Sequence, residues 1–256
     1  MYKIVTKLIT SLLLLFSSVS MAKQVVLVGL AHFPPFIEAR GSHLSGLAVD
    51  MIDLMNAQQD KYLFKGVKVI PATRIQLFKL GRYDMSMFDS LHWGWQDLPV
   101  DASNVYLRGG EVYIAEMKEG RDQSYFSDFK NKTMVGVEGY HYAFADYNAD
   151  ADYLKQTFNM QLTRSNLGSI LMILSGNRGD IAVVSKAFLA QYFANHPQHR
   201  ERILVSDKMD QEYNHTIILR RGIKPDIGEI NQLLKELAET GQLAQLFQNI
   251  QLPNKL

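Results

Sequence analysis

The chain has 256 residues, with 27 basic and 26 acidic side chains and a formal net charge of +1. This balance provides no basic surplus for binding nucleic acid, and the absence of cysteine excludes disulfides, thiol chemistry and lipid attachment through a cysteine. The length allows one large or two modest globular domains.

The N-terminal segment has the pattern of a secretory signal peptide. Lys3 and Lys7 precede an apolar stretch over residues 8–19, and Ser20-Met21-Ala22 is a small-residue cleavage site. The apolar stretch is short for a bilayer span, which makes an uncleaved membrane anchor the weaker alternative. We therefore predict a signal peptide over residues 1–22 and export of the mature chain to the periplasm.

The first part of the mature chain predicts alternating strands and helices. An apolar strand over residues 24–29 leads into His32-Phe33-Pro34-Pro35-Phe36, where two prolines favour a loop. A helix over residues 44–56 and a strand over residues 65–70 follow. Thr73 is the predicted N-cap of the next helix.

Two segments then repeat one pattern, in which an apolar helix stops at glycine and an aspartate leads into a short strand. They are residues 73–88, with Gly81 and Asp84, and residues 166–184, with Gly176 and Asp180. A helix that ends at glycine before a strand is half of an α/β unit. The repetition predicts two similar α/β lobes with a cleft between them. Chance repetition within an ordinary α/β protein is the alternative.

The rest of the chain predicts a crossing between the lobes and a return. Residues 105–115 read as a strand interrupted by Gly109-Gly110, a natural crossing point. A strand over residues 134–137 opens the second lobe, and residues 185–195 form a helix. Predicted strands over residues 203–205 and 215–219 bring the chain back. The last long helix, between Pro225 and Gly241, and a closing helix that includes Ile250 are expected to pack on the first lobe.

Six of these segments stand in the order found in a known family. They are VVLVGLAHFPPF (25–36), LSGLAVDMIDLM (44–55), KLGRYDMSMF (79–88), FKNKTMVGVEG (129–139), LSGNRGDIAVV (174–184) and ETGQLAQLFQNI (239–250). The chain resembles the family 3 periplasmic solute-binding proteins, the polar amino acid cluster that serves ABC transporters. The resemblance covers residues 23–252 and implies an α/β type II periplasmic binding fold. In that fold a ligand cleft separates two lobes, and two crossing strands form the hinge. We expect residues 23–109 plus 214–256 in lobe 1 and residues 110–213 in lobe 2.

The resemblance also implies a function. We expect a monomeric, non-enzymatic periplasmic protein that captures a small polar solute by lobe closure for the membrane permease of an ABC transporter. No cofactor, metal or nucleic acid is expected. A ligand sensor for a membrane signalling partner is one alternative. A cleft enzyme of dehydratase or lytic type, with Asp89, His92 or His141 as acid or base, is another.

Two expected ionic contacts are missing from the sequence. The resemblance implies an arginine for a ligand carboxylate where this chain has Gln96, and an aspartate for a ligand ammonium where it has Ser185. Both contacts would hold a free α-amino acid. Their absence, with the aromatic character of the other candidates, favours a planar or cationic solute over a simple dicarboxylate.

Eleven residues are the candidate ligand contacts because each belongs to a predicted loop, strand end or helix start beside the cleft. They are Phe33, Phe36, Arg74, Asp89, Ser90, Trp93, Trp95, Tyr140, His141, Tyr142 and Ser185. We expect one of the two tryptophans to face the solute while the other packs inside the lobe, and one of residues 140–142 to belong to the site. A salt bridge for Arg74, a turn for Asp89 and a helix cap for Ser185 are the structural alternatives. His196 and His199 are expected to be solvated surface residues.

Overall fold

The computed structural model describes residues 22–248. Apart from Ala22, the predicted signal peptide lies outside these residues, as does Ile250 of the predicted closing helix. No helix between residues 22 and 248 is both long and apolar enough to cross a membrane.

The described residues form eleven strands and seven α-helices, in an alternating α/β order. Those of the first lobe are β1 (Gln24–Ala31), β2 (Glu38–Arg40), β3 (His43–Ser45), α1 (Leu47–Gln58), β4 (Tyr62–Val69), α2 (Arg74–Lys79), β5 (Met85–Asp89) and β6 (Val100–Ala102). The crossing strand β7 (Leu107–Glu116) leads to the second lobe. Its elements are β8 (Met134–Val137), α3 (Ala151–Phe158), β9 (Gln161–Thr163), α4 (Asn166–Leu174), β10 (Ile181–Ser185) and α5 (Lys186–Asn195). The chain returns through β11 (Ile203–Arg220), α6 (Ile227–Glu239) and α7 (Gln242–Gln248).

One curled sheet runs through both lobes. Its strands pair in the order β4-β1-β5-β11-β7-β10-β8-β9, with β6 added on β11, and β2 and β3 form a separate hairpin. In each lobe two strand pairs at the outer edge are parallel, namely β1 with β4 and β5, and β8 with β9 and β10. The two lobes therefore repeat one arrangement, as the repeated sequence pattern predicts.

The long strands β7 and β11 join the lobes. Residues 203–215 of β11 pair with β7, and residues 216–220 pair with β5 and β6. The sequence predicts two short strands here, over residues 203–205 and 215–219, but the chain forms one strand of 18 residues. Because both lobes share β7 and β11, the predicted residue limits of the lobes, 23–109 with 214–256 and 110–213, stay a prediction.

The predicted interruption at Gly109-Gly110 is wrong, since both glycines lie inside the continuous strand β7. The two glycines allow β7 and β11 to approach each other closely. A Cβ atom at Gly109 would lie 2.4 Å from the ring of Tyr213, and one at Gly110 would lie 2.9 Å from the carbonyl oxygen of Gln211. Glycine lets β7 and β11 pack tightly at the crossing.

Helix ends follow the sequence signals with one exception. Gly81 and Gly176 have φ angles of 68° and 81°, the left-handed conformation that ends a helix. Asp226 forms a capping box with Glu229 at the start of α6. Thr73 occupies the predicted N-cap position of α2, but it also ends the short 3₁₀ turn Pro71–Thr73 and its side chain makes no capping hydrogen bond. Helices α6 and α7 pack against α1, so the C-terminal segment completes the first lobe.

Candidate functional site

A cavity of about 50 Å³ lies between the lobes, at the ends of the strands that lead into the cleft. A volume of this size holds a few water molecules. Its walls come from both lobes and from β7: Ala31, His32, Phe33, Ile37, Pro71, Arg74, Ser86, Met87, Phe88, Asp89, Trp93, Glu111, Gly139, Tyr140 and His141.

Direct contacts between the lobes close this cavity. The Tyr140 hydroxyl donates to the carbonyl oxygen of His32 at 3.0 Å. Arg74 Nη1 donates to the carbonyl oxygen of Gly139 at 3.3 Å. Gly139, with a φ of 80°, lies so close to the opposite lobe that a Cβ atom there would be 2.4 Å from the nitrogen of Ala72. The lobes are therefore in direct contact across the cavity, and we call this arrangement the closed form.

Asp89 ends β5 and uses both carboxylate oxygens within its own lobe. Oδ1 accepts hydrogen bonds from Trp95 Nε1 and from the backbone nitrogen of Ser90, each at 2.9 Å. Oδ2 accepts from the Ser86 hydroxyl at 2.8 Å and lies 3.7 Å from Arg74 Nε. The carboxylate therefore fixes the Trp95 loop and the Arg74 side chain.

Phe88, the residue before Asp89, has a φ of 53°, which is strained for an aromatic side chain. Its nitrogen donates to the Tyr106 hydroxyl at 2.6 Å. This hydrogen bond supports the backbone of β5 where its pairing with β11 is irregular, directly before Asp89.

The Arg74 guanidinium, like the Asp89 carboxylate, makes its contacts within the protein. Besides the contacts to Gly139 and Asp89, its Nη2 donates to the carbonyl oxygen of Trp93. The guanidinium carbon lies 5.9 Å from the centre of the Trp95 ring. In this closed form the arginine bridges the lobes and pairs with Asp89, so the structural salt bridge expected as the alternative for Arg74 is present.

A cluster of aromatic rings forms the apolar wall. Phe33 makes edge contacts with Trp93 and Tyr140, with ring centres 5.7 and 5.4 Å apart. Trp93 also packs edge-on against Tyr213 at 4.9 Å. Rings from both lobes thus meet at one point, where they form a surface suited to an apolar or planar group.

Glu111, on β7, is the second carboxylate of the cavity. It is buried, with 2% of its surface exposed. Its Oε2 accepts a hydrogen bond from Gln211 Nε2 at 2.9 Å, and no lysine or arginine of residues 22–248 forms an ion pair with it. Burial, reinforced by the nearby Asp210 carboxylate, raises the pKa of Glu111 well above its usual range.

Gln211, on β11, joins the lobes at the back of the cavity. Its Oε1 accepts from Trp93 Nε1 at 3.1 Å, and its Nε2 donates to Glu111 and, at 2.6 Å, to the carbonyl oxygen of His141. One amide therefore connects the first lobe, the crossing strand and the second lobe.

The histidines near the cavity are neutral at pH 7. Burial and the nearby Arg74 charge lower the pKa of His141 to about 3, although its Nδ1 lies 2.6 Å from the carbonyl oxygen of Tyr147. Burial lowers the pKa of His32, whose Nδ1 accepts from the nitrogen of Ala39. His215 lies in the aromatic cluster behind Phe33, where burial lowers its pKa to about 3.

The cavity brings together six of the eleven candidates: Phe33, Arg74, Asp89, Trp93, Tyr140 and His141. One of the two tryptophans and two of residues 140–142, rather than one, line the cavity, and which of them contact a solute stays a prediction. Trp93 lines the cavity while Trp95 is fully buried against Phe78. Tyr140 and His141 line it while Tyr142 is fully buried.

The other five candidates do not line the cavity in this closed form. Phe36 stacks on Phe88 in the core of the first lobe, and Ser90 is buried beside Asp89. The Tyr142 hydroxyl binds the backbone nitrogen of Val137 at 2.6 Å. Ser185 is the N-cap of α5, which is the structural alternative predicted for it.

The structure also shows the positions of Gln96, of His92 and of the side chains that could bind a metal. Gln96, which stands at the expected arginine position, is exposed. His92, a candidate acid or base, is exposed and stacks on Tyr147 with ring centres 5.5 Å apart. No group of three or more metal-ligand side chains gathers within residues 22–248.

Sequence reasoning missed His32, Glu111 and Gln211. His32 belongs to the loop already identified by its prolines. Glu111 follows the glycine pair of the crossing strand, so an acid beside a predicted hinge was an available signal. Gln211 has no local signal, because its position depends on the long strand β11.

Comparisons with known proteins support the fold. No protein-family model matches the sequence, and no curated protein sequence matches it. A mutant of ArgBP from T. maritima is 20% identical, with a TM-score of 0.70 over 88% of this chain and 94% of the other. The GluR0 ligand-binding core from Nostoc punctiforme, in complex with L-glutamate, is 19% identical, with a TM-score of 0.67 over 89% and 100%.

A third solved structure connects this fold with enzymes. An ancestral amino acid-binding protein, described as a precursor of cyclohexadienyl dehydratase, is 17% identical, with a TM-score of 0.67 over 88% of this chain and 95% of its own. At these identities the likeness establishes the fold. The chain therefore has the two-lobed α/β fold of the type II periplasmic binding proteins, as its sequence predicts.

Proposed function

We propose that this protein is a periplasmic solute-binding protein that closes its lobes around a small polar solute and presents it to the permease of an ABC transporter. The observation that carries the proposal is a cavity between two lobes whose walls come from both lobes and a crossing strand. A solute that contacts both lobes stabilises the closed form over the open one.

The lining supports binding rather than a fixed reaction. Aromatic rings provide an apolar wall, and Arg74, Asp89, Glu111 and Tyr140 add polar groups around it. Two of the three acid–base candidates, Asp89 and His141, are held by protein partners, and His92 is exposed. The L-glutamate named for one of the similar structures supports small polar solutes as the class to test.

A thermal-shift screen over amino acids, amines, nucleobases and small acids tests the proposal. A bound solute at about 100 times its Kd stabilises the native state by about 2.7 kcal/mol. In a chain of this size that corresponds to a rise in Tm of about 5–10 °C. We expect at least one solute to give such a shift.

The matched variants are Trp93→Ala, which removes a wall of the cavity, and Leu91→Ala, which shortens an exposed side chain of the same loop. The solute-dependent rise should be largely lost in the first variant and kept in the second. A screen in which no solute raises the Tm of the native protein would overturn the proposal.

A further inference from the structure

The two carboxylates of the cavity differ in what they bind. Asp89 accepts three hydrogen bonds and lies 3.7 Å from the Arg74 guanidinium, so its acceptor capacity is used. Glu111 accepts one hydrogen bond, from the neutral amide of Gln211. The Arg74 and Asp89 charges compensate each other, which leaves Glu111 as the acid of this cavity without a counter-ion among residues 22–248.

Position and burial direct Glu111 toward the solute. It lies on β7, directly opposite Ser185 of β10 in the antiparallel ladder, and it lines the cavity with 2% of its surface exposed. Gln211 holds one of its oxygens from the side of β11. A buried carboxylate without a cation is costly, and a cation placed beside it removes much of that cost.

Arg74 is not positioned to bind a solute carboxylate in the closed form. Its guanidinium nitrogens contact the carbonyl oxygens of Gly139 and Trp93 and the Asp89 carboxylate. A solute with both an ammonium and a carboxylate would find a partner for the first group and none ready for the second. The charge distribution therefore selects against anions and favours cations.

We propose that Glu111 is the counter-ion for a cationic nitrogen and that the preferred solutes are small organic amines without a carboxylate. This assignment rests on the proposed function and names the solute class for the same cleft. Trp93 and Phe33 then surround the carbon skeleton of the amine, and aromatic faces near an ammonium add cation–π attraction.

The assignment links binding to proton release. Burial raises the pKa of Glu111 well above its usual range, so the closed, solute-free protein keeps the carboxyl proton to a higher pH than an exposed glutamate does. An entering ammonium needs the carboxylate, and the carboxyl proton passes to solvent. Affinity should therefore rise by up to about tenfold for each pH unit, below the pKa of Glu111, while the amine stays protonated.

The other ionisable groups around Glu111 do not reverse the predicted rise of amine affinity with pH. They are Asp210 and the tyrosines Tyr113, Tyr140, Tyr142 and Tyr213, with Arg74 and His141 on the facing walls of the cavity. Burial raises the pKa of each tyrosine, so all four stay neutral. The pKa of His141, lowered to about 3, keeps that ring neutral as well.

Isothermal titration calorimetry with matched probes tests the assignment. The probes are n-alkylamines from methylamine to hexylamine, the n-alkanols and n-alkanoates of the same lengths, and 2-aminohexanoic acid. Titrations at pH 6, 7 and 8, in buffers of low and high ionisation enthalpy, count the protons released. We expect an amine to bind at least tenfold more tightly than its matched alcohol and carboxylate, with release of a proton.

The diagnostic variant is Glu111→Gln, which keeps an acceptor for Gln211 but cannot ionise. The matched control is Glu212→Gln, an exposed glutamate of β11 that loses the same charge. Glu111→Gln should weaken amine binding at least tenfold and remove both proton release and the pH dependence. Glu212→Gln should change Kd less than about twofold. Unfolding curves confirm folding, and Glu111→Gln should be at least as stable as the native protein at pH 7, because it removes a buried ionisable group.

Two results would overturn the assignment in different ways. If 2-aminohexanoic acid binds, the amines do not, and Glu111→Gln has no effect, the counter-ion lies elsewhere and the solute-binding function stands. If no probe here and no solute of the thermal screen binds at any of the three pH values, the proposed function itself fails.

Discussion

Single residues decide the chemistry of the cleft, and their neighbours determine which side chains remain free to contact a solute. Asp89 and Glu111 are both buried carboxylates of one cavity, yet Asp89 binds four protein groups and Glu111 binds one. The sequence identified Asp89 from its position after an apolar strand. It could not show that Trp95, Ser86 and Arg74 would occupy that carboxylate.

The proposed role of Glu111 illustrates why alignment by position alone was insufficient. The resemblance led to Ser185 as the place of a missing acid. In the folded chain Glu111 faces Ser185 across the β7–β10 ladder, although 74 positions separate them in sequence. Strand pairing brings such residues together, and strand register is not readable from either segment alone.

Buried histidines make stability depend on pH. The pKa of His215 is lowered to about 3 by burial, whereas an unfolded chain protonates histidine below about 6.5. The unfolded state therefore binds more protons between these values, and the free energy of unfolding falls as the pH drops from 6.5 toward 3. His141 acts in the same direction.

We predict that His215→Leu flattens this dependence. Each buried neutral histidine lowers the free energy of unfolding by up to about 1.4 kcal/mol for each pH unit below 6.5. The decrease in the free energy of unfolding between pH 7 and pH 5 should therefore be roughly 2 kcal/mol smaller in the variant. Urea unfolding at the two pH values measures the difference. If the free energy of unfolding fell equally in the native protein and the variant between pH 7 and pH 5, His215 would not be buried in its neutral form.

At the scale of elements, local signals predicted the ends of helices well and the long strands poorly. Gly81 and Gly176 end their helices in the left-handed conformation that only a residue without a Cβ adopts freely. The long strand β11 escaped prediction because residues 206–214 contain polar side chains such as Asp207, Asp210 and Asn214. Pairing with β7 keeps this stretch extended, and pairing is a tertiary effect.

The crossing strands depend on Gly109. We predict that Gly109→Ala destabilises the protein by about 1–3 kcal/mol, since the added methyl would overlap the buried ring of Tyr213. Urea unfolding checks the value. Gly228→Ala is the control, because Gly228 is an exposed residue of α6 whose Cβ would meet only the Asp226 side chain at 3.2 Å. It should be neutral or stabilising. Equal effects in the two variants would contradict tight packing at the crossing.

At the scale of the whole molecule, the sequence predicted the architecture from order and repetition. The two glycine-ended helices, the crossing segment and the return of the C-terminal helices to the first lobe all follow from residues near each other in the chain. The closed arrangement of the lobes does not. It depends on contacts between distant loops, such as Tyr140 with His32 and Arg74 with Gly139.

The central claim is that the two lobes move and that the described form is their closed state. Gly139 offers a direct test, because a methyl group there would lie 2.4 Å from the backbone of Ala72 in the opposite lobe. We predict that Gly139→Ala folds but cannot close. Gly120→Ala is the matched control, since its φ of 72° imposes similar backbone strain while no atom lies within 4 Å of the added methyl.

The measurement is the distance between the lobes by double electron–electron resonance. The chain has no native cysteine, so Asp97→Cys and Asp152→Cys place one spin label on an exposed site of each lobe. The native protein and Gly120→Ala should share a short-distance population that is absent from Gly139→Ala, whose lobes should remain farther apart. Identical distance distributions in all three proteins would contradict the account.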